Sequence, residues 1–254
     1  MKRFLFLVIF ACSASLFAQS ADQKALLKKV DELVSFRSSD FTADYFIVVD
    51  KPGQTQSATQ AVIFRRDREE KYLILILKPD VDKGKGYLKI DGNLWFYDPV
   101  GRRFTFTSAK ERFQNSNARN SDFTRSNFAG DYDVINSSRE KLGKFDCTVL
   151  SLKANNPEVP FPKTKLWISE DNLVRKTEDY SLSGQLLRTT AIPTYQSIGD
   201  RYIPVSVVIV DNLRGKTVNG KFVSERTQIT ISKPSMEKLP DNLFTKAYLE
   251  KVGR

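Results

Sequence analysis

The spacing of apolar positions changes once along this chain. Over residues 21–36 apolar side chains fall at Leu26, Leu27, Val30, Leu33 and Val34, while Lys24, Lys28, Lys29, Asp31 and Glu32 occupy the opposite side. That is the spacing of an amphipathic helix packed on a sheet. From Ser39 onward the period falls to about two and turn residues punctuate it, which predicts antiparallel strands rather than βαβ units. The first series covers residues 41–50, 56–66 and 72–77. The last of these, YLILIL, does not alternate, so it has both faces buried, or one face on a core and one on a ligand.

Tyr87 to Phe106 then reads as three short strands. Asp91-Gly92 suits the positive-φ positions of a hairpin turn, and Asp98-Pro99 with Gly101 turns the chain again. Arg102 and Arg103 stand just before Phe104-Thr105-Phe106. The stretch from Asp80 to Gly86 carries neither the EF-hand ligand pattern nor the Gly-Lys-Ser/Thr of a phosphate loop, and is expected to be an exposed loop. Residues 108–130 are rich in Asn, Ser and Arg, with Phe113, Phe123 and Phe128 as apolar punctuation. Two readings fit them: short helices laid over the sheet, or a solvated linker.

A second series of strands is predicted over 132–140, 145–154, 163–169, 173–181, 186–197, 202–211 and 221–232, with a closing helix over 240–249. Roughly ten or eleven strands in one sequential sheet curl, because twist accumulates with strand number. The expected product is a barrel plugged by helices or a half-barrel that holds something.

The first residues change the picture of where this fold works. Met1-Lys2-Arg3, an apolar run from Phe4 to Phe10 and small residues from Ala11 to Ser15 make a secretory signal peptide. The apolar run is shorter than the roughly 20 residues of a spanning helix. Cleavage after Ala18 leaves a periplasmic domain over 19–254. The alternative is a lipobox at Ile9-Phe10-Ala11-Cys12, with Cys12 lipidated and the protein membrane-anchored. With Cys12 removed, Cys147 is the one remaining cysteine, so no internal disulfide is available. The full chain carries 40 basic and 30 acidic residues, and loss of Lys2 and Arg3 leaves a net charge of +8. That balance suits anionic lipid headgroups or acidic partners; export argues against nucleic acid.

The chain has no histidine, which removes the Ser-His-Asp and Cys-His arrangements and the usual zinc ligand sets. Cys147 lies in a strand-like apolar segment, the setting of a buried structural thiol. Carboxylate pairs such as Asp131 with Asp133 or Glu178 with Asp179 share strand faces, but without a sugar cleft they make a weak case for hydrolysis. The expectation is a protein without catalysis or a cofactor.

The segment Asp91-Gly92-Asn93-Leu94-Trp95-Phe96-Tyr97-Asp98-Pro99, the element Ser121-Asp122-Phe123-Thr124 and the tail Pro240-Asp241-Asn242-Leu243-Phe244 together resemble the LolA-like outer-membrane lipoprotein-sorting proteins. The resemblance spans most of the chain after the leader. It departs at Arg125, Ser126 and Asn127, where relatives often carry Tyr and acidic residues. It implies a mainly β fold with a few helices, an incomplete, half-open antiparallel β-barrel covered by helices, LolA/LolB-like. It further implies an apolar interior holding the acyl chains of a lipoprotein or a phospholipid, with an inner-membrane donor and an outer-membrane acceptor, and a monomer. The alternative is a lipid-anchored structural or lipid-sensing envelope lipoprotein.

Candidate pocket walls are pairs sharing one strand face: Phe46 with Val48, Val62 with Phe64, Leu75 with Leu77, Leu94 with Phe96, and Phe104 with Phe106. A shift of one residue turns each pair to the other face. Arg102 and Arg103 are the candidates for a rim contact with a phosphate or an acidic partner.

Overall fold

The structure, a computed structural model, describes residues 21–253. The leader and Cys12 lie outside the described residues. The first element is a helix, α1, over 21–33, with Leu27 and Val30 buried beneath it. Thirteen strands follow in one antiparallel sheet.

Six of them form a first meander: β1 (Phe41–Asp50), β2 (Ser57–Arg66), β3 (Lys71–Lys78), β4 (Gly86–Ile90), β5 (Asn93–Asp98) and β6 (Arg103–Thr107). The second meander holds β7 (Tyr132–Leu142), β8 (Phe145–Ala154), β9 (Lys163–Ser169), β10 (Val174–Tyr180), β11 (Leu186–Ile198), β12 (Arg201–Val218) and β13 (Lys221–Ser235). The two are joined where β1 pairs with β13, so the order runs β6-β5-β4-β3-β2-β1-β13-β12-β11-β10-β9-β8-β7. Sequential reading expects each strand beside the next. The one long-range pairing puts the middle of the sheet, rather than an edge, at the first and last strands.

β6 and β7 are the free edges, and the sheet does not close between them. The chain from 108 to 131 crosses that gap. It is not a solvated linker: Phe113 and Phe123 are buried, as are Ser116, Asn117 and Asn120. A 3-10 turn (Asn120–Phe123) and α2 (Phe128–Asp131) are its regular pieces. Its cations are paired. Arg112 meets Asp211, Arg125 meets Glu70, and Lys110 donates to the Pro157 carbonyl at 2.6 Å.

Each face of the sheet has its own cover. On the inner face a cluster from β1, β2 and β3, including Tyr45, Ile47, Ile63 and Ile74, packs against Phe113 and Phe123. On the outer face of β2–β6, Leu73, Leu88 and Tyr97 pack against the C-terminal segment, through Leu239, Leu243, Phe244 and Leu249. The predicted closing helix is a 3-10 turn (Asp241–Phe244) followed by α3 (Lys246–Val252), whose N-cap Thr245 accepts from the Tyr248 N–H at 3.1 Å.

The expected exposed loop before β4 is in part the seat of α3. Gly84 and Gly86 are buried. A Cβ on Gly84 would fall 2.2 Å from the Gly253 carbonyl oxygen, and one on Gly86 would fall 2.6 Å from Leu249 Cδ1. Both sites therefore admit only glycine without moving the helix.

Candidate functional site

An apolar cavity of about 330 Å³ lies between the inner face of the sheet and the α1 side of the molecule. Its lining runs across seven neighbouring strands, from Arg65 of β2 to Thr164 of β9. Laid flat at about 4.8 Å spacing, seven strands would span roughly 29 Å, far more than a cavity of this volume can touch. The sheet is therefore curled around it, as accumulated strand twist requires.

The floor is apolar, with Tyr45 of β1, Ile192 of β11, Val207 and Ile209 of β12, and Ile229 and Ile231 of β13. The roof is α1, through Val30 and Val34, with Phe36 just beyond it and the segment from Ser121 to Phe128. Ile192, Val207 and Val34 are only partly buried, so apolar surface faces the empty space.

Local chemistry holds the roof in place. Asp31 of α1 accepts from the backbone N–H groups of Phe128 at 2.9 Å and Ala129 at 2.8 Å, and from the Ser126 hydroxyl. Burial pushes the Asp31 carboxyl above the usual range, against the pull of those donors. Phe36 and Phe41 stack at 4.4 Å between ring centroids, and the Arg65 guanidinium lies 5.7 Å and 5.5 Å from those two rings. Asp67 fixes Arg65 with two bonds of 2.9 and 2.7 Å and also accepts the Phe36 N–H at 2.8 Å.

One wall is polar. Arg188 of β11 donates to Asp179 of β10 at 2.8 Å and to Asp122 of the roof segment at 2.6 Å, and lies 4.5 Å over the Phe161 ring. Burial raises the Asp179 carboxyl above its ordinary value, despite Arg188 and the Thr164 hydroxyl that donates to it at 2.7 Å. The Thr190 hydroxyl beside them is buried with no partner among the described residues. This wall carries charge into a mainly apolar space, and through Asp122 it ion-pairs the sheet to the roof at the cavity.

None of the ten residues expected to line a pocket lines this cavity. Leu94 and Phe96 are on the inner face, but toward the β6 edge, where Phe96 tilts against Tyr87 at 5.1 Å. Phe64, Leu75 and Phe104 pack in the outer cluster under the C-terminal segment. Leu77 shares the outer side of β3 with Leu73 and Leu75, and its side chain is exposed. Phe46 is exposed and Val48 half-buried on the outer side of β1, where they alternate with inward Tyr45, Ile47 and Val49. Val62 alternates with inward Ala61 and Ile63. Phe106 is exposed and meets Trp95 edge-on at 5.7 Å. Arg102 and Arg103 are exposed in the turn between β5 and β6, away from the cavity rim.

For β1 the right face was readable. Its outer side carries Thr42, Asp44 and Asp50 with Phe46 and Val48, whereas its inner side is apolar throughout. For β6 no such signal exists. Phe104 and Phe106 are its apolar face and Arg103, Thr105 and Thr107 its polar one, yet the apolar face is the outer one, because the C-terminal segment covers it. The floor residues of β11–β13 belong to strands that pattern alone cannot assign to a ligand rather than a core.

Comparison with known proteins came out as follows. A family model for an uncharacterized protein matches residues 68–251. No curated protein matches the chain. Among solved structures, a LolA superfamily protein from Nitrosomonas europaea is 25% identical, with a TM-score of 0.73 over 88% of this chain and 97% of that one. An outer membrane lipoprotein-sorting protein domain from Vibrio parahaemolyticus shares the fold at 18% identity and a TM-score of 0.76, over 89% of this chain and 97% of that one. A DUF1329 family protein from Desulfovibrio piger does so at 17% and 0.78, over 91% and 98%.

Proposed function

We propose, from the family model that matches residues 68–251 and from the likeness to a LolA superfamily protein, that the chain is a LolA-like carrier that takes an acyl chain of a lipoprotein or phospholipid into the cavity under α1. It acts in the periplasm and escorts its cargo toward the outer membrane. The observation that carries this reading is the cavity itself, an apolar floor from four strands facing the apolar side of α1, with partly exposed Ile192, Val207 and Val34 and no core side chain among the described residues filling the space.

Each CH₂ moved from water into such a space is worth about 0.8 kcal/mol, so several methylenes give useful affinity without a covalent step. The volume of about 330 Å³ is at the low end for ligand pockets. Release then has a physical route, since contacts between roof and floor compete with the lipid for the same apolar surface. Uptake of a fluorescent fatty acid by the purified full chain, followed by displacement with a diacyl phospholipid, tests the reading. A chain that stays dark with both ligands ends it.

The link between Asp122 and Arg188 predicts how the roof behaves. Asp122→Asn removes the roof's half of the ion pair and leaves Arg188 bonded to Asp179. Stability is expected to fall by only about 1 kcal/mol, because Asp122 is partly exposed. Exchange of the bound probe is expected to quicken severalfold, as read by stopped-flow displacement. Unchanged exchange would remove Asp122 from the gating role.

A further inference from the structure

We propose that the hairpin joining β12 and β13 is a membrane-docking finger that inserts its tip into a bilayer rich in anionic lipid. Its neighbours stop short of it: β11 pairs with β12 only as far as Asp211, and β1 pairs with β13 only as far as Arg226. Beyond those points the two strands run on alone through Gly215↔Ser224, Lys216↔Val223, Thr217↔Phe222 and Val218↔Lys221. At about 3.3 Å per residue the arm projects roughly 20 Å. Asn219 and Gly220 close it with φ of 50° and 76°, the tight two-residue turn that a straight hairpin uses.

Every residue from 213 to 223 is exposed, and the Lys216 side chain reaches back beside Gly53 of the turn between β1 and β2. Yet Leu213, Val218, Phe222 and Val223 are 50%, 40%, 55% and 44% exposed, a concentration of apolar side chains on one tip that water disfavours. A Cβ on Gly215 would fall 2.8 Å from Phe222 Cζ, so the glycine lets the ring lie across the facing strand.

Two features choose a bilayer as the occupant. Val218 and Val223 lie on one face of the hairpin and Phe222 on the other, as the register sets them. A flat protein surface covers one face, whereas a bilayer surrounds an inserted tip on all sides. The charge agrees: residues 213–223 hold Arg214, Lys216 and Lys221 and no carboxylate, a set of cations beside apolar groups that matches anionic headgroups above acyl chains. Each cation near such a surface strengthens partitioning roughly fivefold. The finger leaves the sheet two residues beyond Ile209, which lines the cavity, so docking would bring the Arg188 end of that cavity to the membrane. The proposal stands on the hairpin alone and does not require the cavity to hold lipid.

The test is co-sedimentation of the full chain, with Cys12→Ser in every arm so that an N-terminal acyl group cannot carry the result. Vesicles of phosphatidylethanolamine with phosphatidylglycerol are compared with vesicles of phosphatidylcholine alone. The expected result is binding to the anionic vesicles only, weakened at least tenfold by Val218→Ser with Phe222→Ser and, separately, by Lys216→Glu with Lys221→Glu. A fluorophore on Thr217→Cys should shift to the blue on binding. The finger substitutions all lie on exposed positions, and the circular dichroism spectrum and urea-unfolding midpoint of each variant report that the fold is intact. Binding that survives both pairs of substitutions overturns the proposal, as does equal binding to both vesicle types. A concentration-dependent dimer that the Phe222→Ser variant abolishes would assign the tip to self-association and overturn it as well.

Discussion

Replacing Asp40 with asparagine is expected to lower the unfolding free energy by about 3 kcal/mol at neutral pH. The Asp40 side chain is fully buried between the end of the α1 region and β1. It accepts from Arg66 Nε at 3.1 Å and Nη2 at 3.0 Å, from Arg68 at 2.7 Å and from the Leu239 N–H at 2.8 Å. Arg66 in turn donates to the Leu239 carbonyl at 2.6 Å and lies 4.9 Å over the Phe244 ring. One carboxylate therefore clasps the C-terminal segment to the first strands. An amide keeps the shape but takes away the buried charge that faces Arg66, leaving it only the more exposed carboxylates of Asp241 at 2.5 Å and Glu69 at 3.8 Å, and that is the source of the cost.

The pH dependence has a definite sign. Burial pushes the Asp40 carboxyl up, but Arg66, the Leu239 N–H and Arg68 outweigh it and hold it below its ordinary value of 3.8. A carboxylate whose folded pKa is depressed stabilises the fold above its unfolded pKa and loses that contribution as pH falls through the folded one. The gap between wild type and Asp40→Asn in urea unfolding is therefore expected to be full at neutral pH and to close below pH 3.8. A gap that stays constant with acidification would mean that the charge on Asp40 is not what holds the clasp.

The second large effect concerns ligand affinity. Val207 faces the cavity from the middle of β12, half-buried and next to Ile209 and Ile229. Val207→Glu puts a carboxylate into a space that a bound acyl chain would dry out, a penalty of about 3 kcal/mol, or roughly hundredfold in affinity. Val207→Phe keeps the site apolar and removes volume, and is expected to weaken binding about tenfold through crowding alone. Phe46→Glu makes the same chemical change on the exposed outer side of β1 and should leave affinity unchanged. Titration of a fluorescent fatty acid reads all three. If Phe46→Glu weakened binding and Val207→Glu did not, the ligand would have to lie on the outer face.

These two experiments address the two sides of one sheet. The Asp40 clasp fixes the C-terminal segment over the outer face of β2–β6, with α3 seated on Gly84 and Gly86. The inner face is thereby left to α1 and the segment from 108 to 131, and between those and the sheet the space is incompletely filled.

The amino-acid pattern by itself determined the element types, the curled antiparallel sheet and the family, because the period of side chains and the turn residues are local properties and the quoted motifs are contiguous. For β1 it carried a signal, Asp44 and Asp50 on the solvent side, that the choice of Phe46 with Val48 as a pocket wall passed over. Only the tertiary structure decided that β1 pairs with β13, that the basic stretch after β6 is roof rather than linker, and which face of β6 looks outward. The physical reason is the same in each case. Alternation separates two faces of a strand but carries no sign when both faces are covered by protein, and the cover here comes from segments far away in sequence. Phe104 shows the consequence, an apolar residue whose burial partner, the helix from Lys246, could be known only once the chain had folded back on it.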